Sequence, residues 1–165
     1  MTDAKSLRDL FVENLRHAYD AEKRLVETLP DVRDAAHSPE LKHALQAHLE
    51  VTGVHVSRLE QIFDWIGEKP KRERCKSIDG ILDDGKHVTE LKGDPDVIDA
   101  ALIAAAQEAE HFEIAMYGTL RAWAAQLGKN EAMETLQVTL EEEKAADGLL
   151  TNIAERLNLR AAHAH

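Results

Sequence analysis

The sequence predicts an all-α protein, a four-helix bundle with one long crossover that carries a short extra helix. Three observations predict it. Apolar residues recur at three- and four-residue intervals over four long stretches, the signature of helices with one buried face. Aromatic residues make up 4% of the chain, and its 165 residues include only 8 Gly and 4 Pro, so strand formers and turn residues are scarce. Acidic residues fall inside the apolar stripes near the middle of the helices, where burial is costly without a positive partner.

The first long helix is expected from about Ser6 to Ala36, with Leu7, Phe11, Leu15, Ala18, Leu25 and Leu29 as its stripe and Glu22 inside it. Pro30 sits well within the pattern and should kink or end the helix there. His37-Ser38-Pro39 breaks the chain, with Ser38 as N-cap and Pro39 at the first helical position. The second helix follows to about Ile66, closed by Gly67. Leu41, Leu45, Leu49, Val56, Leu59 and Phe63 mark its buried side, which also carries His48, Thr52 and His55, while Glu50 projects the other way. A histidine on an apolar face is more often a core residue than a ligand.

Residues 68–95 read as the crossover. Its basic run Lys69–Arg74 is a solvated connector, and Ile78, Ile81, Leu82, Val88 and Leu91 suggest a short helix interrupted near Gly85. A connection this long returns the chain from one end of a bundle to the other. Cys75 at its entry reads as a small buried residue. The third long helix spans about Asp96 to Leu127, with Glu110 and Glu113 one turn apart beside an apolar arc, and Gly128 ends it. Such a pair is uncommon because like charges one turn apart repel. The fourth long helix runs from about Asn130 to Leu159. Its stripe of Leu136, Leu140, Leu150, Ala154 and Leu157 has Glu143 and Asp147 in its gap. Residues 160–165 read as a frayed tail, with disorder favoured over metal binding for His163 and His165.

The length suits one domain spanning residues 1–165, large enough to bury a core. A net charge of −11 argues against nucleic acid as a partner, because phosphate binding needs a basic surface. No apolar run approaches the roughly 18 residues needed to span a bilayer, and no apolar secretory core opens the chain. A single cysteine rules out an intramolecular disulfide framework and suits a reducing compartment, so a soluble, cytoplasmic protein is expected.

Depth along the helices ties the acidic residues together. Glu113 and Glu143 each lie 15 residues from Gly128; Glu22 lies 16 residues before Ser38, and His55 lies 17 after it. In antiparallel hairpins, residues equally far from the loop sit at equal depth, and a mismatch of one or two positions is only about 2–3 Å. The interior polar groups of both hairpins therefore form one mid-helix layer. Clustered carboxylates need cations or protons. Oxygen ligands with imidazole suit iron or manganese, with zinc a further choice; a proton-sharing or arginine-paired layer is the alternative.

Several segments resemble the YciF-like family of bacterial ferritin-like stress proteins: Ala21-Glu22-Lys23, Ala47-His48-Leu49-Glu50, Asp99 to Ala106, Glu110-His111-Phe112-Glu113-Ile114-Ala115, Tyr117-Gly118-Thr119-Leu120, and Leu140-Glu141-Glu142-Glu143-Lys144 to Asp147. The third-helix segment is the most specific, and the likeness covers nearly the whole chain. It implies a ferritin-like bundle and a homodimer. In ferritin-like di-iron proteins two helices each give a Glu and two give Glu-x-x-His. By that resemblance Glu22, Glu113 with Glu110, and Glu143 match ligand positions. Departures stand at Ala146, three after Glu143, where His is expected, and at Thr52, where a Glu would precede His55.

The expected ligand set is Glu22, His55, Glu110, Glu113, Glu143 and Asp147, around a di-iron centre with manganese or zinc as alternatives. The expected function is reaction with dioxygen or peroxide during stress. The competing expectation is a non-catalytic helical dimer with a degenerate or empty site.

Overall fold

In the computed structural model, which describes residues 5–164, the chain forms five helices: α1 (Leu7–Ala35), α2 (Pro39–Trp65), α3 (Lys76–Thr89), α4 (Pro95–Gln126) and α5 (Asn130–Ala161). No strand occurs among the described residues. The helix starts follow local chemistry. Ser6 and Ser38 accept hydrogen bonds from Asp9 N–H and Leu41 N–H, and Asp94 caps α4 ahead of Pro95. Gly67 and Gly128 take positive φ values of 72° and 65° just past the ends of α2 and α4, where a side chain would be strained.

α1 packs along α2, α4 packs along α5, and the two hairpins meet through α1 against α4 and α2 against α5. The crossover lays α3 across α4 and α1. This is the ferritin-like bundle with its long crossover, and no described helix is long and apolar enough to cross a membrane.

The apolar core is split in two along the bundle axis. One half gathers Phe11, Leu15, Leu59, Phe63, Leu120 and Leu136. The other gathers Leu25, Leu29, Leu41, Leu45, Leu102 and Ile153. Between the halves, buried polar residues replace leucine: Glu22, Thr52, His55, Glu110, Glu113 and Glu143.

Three local expectations need correction. α1 spans Leu7–Ala35 as its apolar period expects, so Pro30 does not end it; the proline costs one backbone donor, but Leu29 before it and Ala36 after it are buried in the same core half and hold the turn. α3 is continuous across Gly85, because Ile78, Ile81, Leu82 and Val88 pack on the bundle and outweigh the glycine's propensity cost of about 1 kcal/mol. α5 extends to Ala161, its last turn tied to the start of α4 by Arg160 Nε donating to Asp96 at 3.0 Å. His163 Nδ1 lies 2.7 Å from the Leu159 carbonyl; His165 lies outside the described residues. Cys75 is buried beside Ala21 and Ile78, as a small core residue should be.

Candidate metal centre

The polar layer resolves into two groups that share one residue. Glu22 from α1, His55 from α2 and Glu143 from α5 place one ligand atom each within 4.8 Å of one another. His48 from α2, Glu110 and Glu113 from α4, and again Glu143 do the same. Glu22, Glu113 and Glu143 are at most 1% exposed, and Glu110 is 3% exposed.

Local helix geometry explains who arrives. Glu110 and Glu113 are one turn apart and project from one face of α4. His48 and His55 are two turns apart on α2, on either side of Thr52, so each reaches a different group. The Thr52 hydroxyl donates to the His48 carbonyl at 2.8 Å, which occupies it with its own backbone.

The His55 ring is held from both sides. Its Nε2 lies 2.9 Å from Glu142 Oε2, and Glu142 is in turn gripped by Arg58, whose Nη2 donates to Oε1 at 3.0 Å. Arg58 also donates to Thr139 Oγ1 at 3.2 Å. On the inner side His55 Nδ1 lies 2.9 Å from Glu143 Oε1 and 3.4 Å from Glu22 Oε1. Those inner contacts are close but lack hydrogen-bond alignment, leaving Nδ1 and both Glu143 oxygens without a hydrogen-bond partner. Tyr117, edge-on to the His55 ring, donates its hydroxyl to Glu22.

The electrostatics follow from burial. Desolvation is the main reason that Glu22, Glu110 and Glu113 are raised above the usual carboxylate range, with neighbouring carboxylates adding to it at Glu110 and Glu113. Burial lowers His48, favouring the neutral imidazole. At His55 burial opposes a charge, but Glu143 and Glu22 outweigh it and push the ring up to about 10. The Arg58 guanidinium holds Glu142 below its ordinary value.

Does this donor set fit a metal? Nine buried side-chain nitrogen or oxygen atoms among the described residues lack a hydrogen-bond partner, and seven of them belong to Glu22, His55, Glu110, Glu113 and Glu143. Buried polar atoms are normally paired. No arginine forms an ion pair with these four carboxylates among the described residues; Glu22, Glu110 and Glu143 meet histidines instead, at His55 and His48. Arginine pairing is thereby set aside, and orphaned acceptors with two imidazoles make a ligand set for a borderline or hard divalent ion.

The sequence-derived residues are thus brought together with one exception. Asp147 does not join either group: it is 22% exposed, accepts from Gln107 Nε2 at 3.0 Å, and lies 3.5 Å from the exposed His111. His48 takes a place instead. Its signal was present in the sequence as a second histidine two turns from His55 on the same face, but a lone-histidine argument undervalued it. Ala146 lines an apolar cavity next to the layer and offers no ligand.

Fold and site together define a ferritin-like helical bundle with a buried carboxylate and histidine layer. The chain belongs to the YciF-like family: residues 6–163 match the domain of unknown function DUF892. It is 42% identical over 151 residues to Protein YciF of Escherichia coli strain K12, covering 91% of each chain. The crystal structure of the E. coli stress protein YciF superposes with a TM-score of 0.90 at 41% identity, covering 93% of this chain and 97% of that one. YcfI from Rhodopseudomonas palustris gives 0.87 at 39% identity, covering 90% and 95%. A Xanthomonas campestris protein, at 19% identity and a TM-score of 0.74 over 93% and 94%, shares the fold alone.

Proposed function

We propose that this protein is a di-metal carboxylate protein of the bacterial stress response, binding iron or manganese and reacting with dioxygen or peroxide. The observation that carries this reading is Glu143, a buried carboxylate common to two ligand groups that each contain an imidazole and further carboxylates. Support for the stress context comes from the E. coli relative, which is described as a stress protein.

Glu22, His55 and Glu143 would hold one ion, and His48, Glu110, Glu113 and Glu143 the other. When bound, such ions supply electron transfer and Lewis acidity to an oxygen substrate. The chain's own residues do the rest. Arg58 and Glu142 fix His55 with Nε2 turned outward, which aims Nδ1 at the layer. Tyr117 orients Glu22 by donating its hydroxyl. The apolar core half around Phe11, Leu59 and Leu120 limits water on one side of the layer. We assign the protein to the cytoplasm and expect a homodimer, which light scattering after size exclusion would test.

The deciding experiment is elemental analysis of protein purified without chelator or nickel resin, paired with anomalous diffraction at the iron and manganese edges. About two ions per chain, reduced in Glu22→Ala and Glu143→Ala, is the expected result. Metal content unchanged in both variants would overturn the ligand assignment. Thr52 and Ala146 favour a second reading, a non-catalytic helical dimer with a weak site, because neither can supply the ligand that the ferritin-like pattern puts there. That reading expects well under one ion per chain in the unmodified protein.

A further inference from the structure

Beside the polar layer the bundle is hollow. A cavity of about 320 Å³ lies among all five helices, within the range of about 300–1,000 Å³ typical of small-molecule sites. Its lining runs from Leu102 to Glu110 on α4 and from Glu142 to Leu150 on α5, eight residue steps each. At 1.5 Å per residue that is an axial length of about 12 Å.

The two ends differ in chemistry. At the layer end stand His48, Glu110 and Glu142; at the other stand Val32, Leu45, Leu102 and Leu150. Between them the walls are thinned by alanines, among them Ala105, Ala106 and Ala146. Small side chains alone make no site, but here a buried polar group lines the space. Glu110 lines the cavity, is 3% exposed, and its Oε2 has no hydrogen-bond partner. A buried, unpaired oxygen at the polar end of an apolar slot is an anchor for one polar function. The exposed residues Ala47, Ala145 and Leu149 stand where the slot reaches the surface.

We propose that this cavity binds a neutral single-chain amphiphile, in chemical class a medium-chain alcohol, with its chain along α4 and α5 and its oxygen at His48 and Glu110. The chain matches an elongated apolar wall, and the hydroxyl can both donate to Glu110 and accept. A carboxylate head is disfavoured, because Glu110, Glu113, Glu142 and Glu143 already crowd that end and Arg58 beside them is held by Glu142. The inference concerns binding alone and does not require a cation in the layer.

Calorimetric titration of the as-purified protein with octan-1-ol and with octanoate tests it, metal content being measured in parallel. Saturable uptake of one octan-1-ol per chain is expected, at least tenfold tighter than octanoate. It should weaken at least tenfold in Ala146→Leu, which fills the slot, and in Ala47→Phe, which obstructs its exposed rim and leaves the interior untouched should Ala146→Leu fail to fold. Absence of saturable uptake, equal binding of octanoate, or unchanged affinity in folded Ala47→Phe would overturn the proposal. Because metal content is read independently, loss of octanol binding with metal retained would leave the di-metal reading standing, and the reverse result would do the opposite.

Discussion

At His55 two sides of one ring meet carboxylates, and the outer side decides the inner. Glu142, fixed by Arg58, takes Nε2, so Nδ1 is left facing Glu143 and Glu22. Partners of this kind set ring orientation and ligand basicity, and losing them costs about 10- to 100-fold in metal affinity. Arg58→Ala and Glu142→Gln should therefore each weaken metal binding within that range, as measured by competition with a chromophoric chelator, with helix content by circular dichroism unchanged. Unaltered affinity in both would remove the positioning role. The inner carboxylates were legible in the sequence because charge inside an apolar stripe is conspicuous at helical period. His48 is only half legible: it shares the buried face of α2 with His55, but the depth count that ties His55 to Glu22 leaves it out. Asp147 stands apart from both clusters for a reason the period cannot show: it lies in the gap of the stripe, but its carboxylate meets Gln107 on the neighbouring helix.

Among the elements, the joint between α1 and α2 shows what holds the two hairpins in register. Asp99, 1% exposed on α4, accepts from His37 N–H at 2.7 Å and Ser38 N–H at 2.6 Å, pinning the turn of one hairpin to a helix of the other. Hydrogen bonds to a charged group contribute about 1.5–3 kcal/mol each, and orphaned buried donors add a penalty. Asp99→Ala should lower stability by about 3 kcal/mol in urea unfolding, whereas a loss below about 1 kcal/mol would mean that packing alone sets the joint. Helix positions were readable from capping residues and apolar period. Continuity through Pro30 and Gly85 was not, since local propensity argues for a break and only tertiary burial, invisible in one sequence, outweighs it. The crossover is likewise fastened by a residue without a sequence signature: Asp20, 5% exposed, accepts from Arg72 Nε at 2.9 Å and from Cys75 N–H at 3.3 Å.

For the whole molecule, the layer makes stability depend on pH in an unusual direction. Burial raises Glu22, Glu110 and Glu113, so each contributes stability that is complete below the ordinary value of 4.5 and lost as pH rises through the folded value. His55 acts with the same sign, its contribution complete below 6.5 and lost as pH rises through about 10. His48, lowered by burial, acts with the opposite sign, but four groups outnumber it, so metal-free protein should melt at a lower temperature at pH 8.5 than at pH 5.5. Metal binding must displace those protons, so affinity should rise with pH and loading should acidify a weakly buffered solution. Scanning calorimetry with and without chelator across that range checks both trends; a flat metal-free profile would show that the buried carboxyls do not hold their protons.

Glu143 carries one more implication. Since a single carboxylate stands in both candidate ligand groups, two ions held there would not be thermodynamically separate. Whatever filling one does to that side chain is returned, in equal measure, when the other is filled first. The product of the two stepwise binding constants should thus differ from the product of the constants measured singly in Glu22→Ala and Glu110→Ala, each of which leaves one group whole, and replacing Glu143 should abolish that difference along with the affinity.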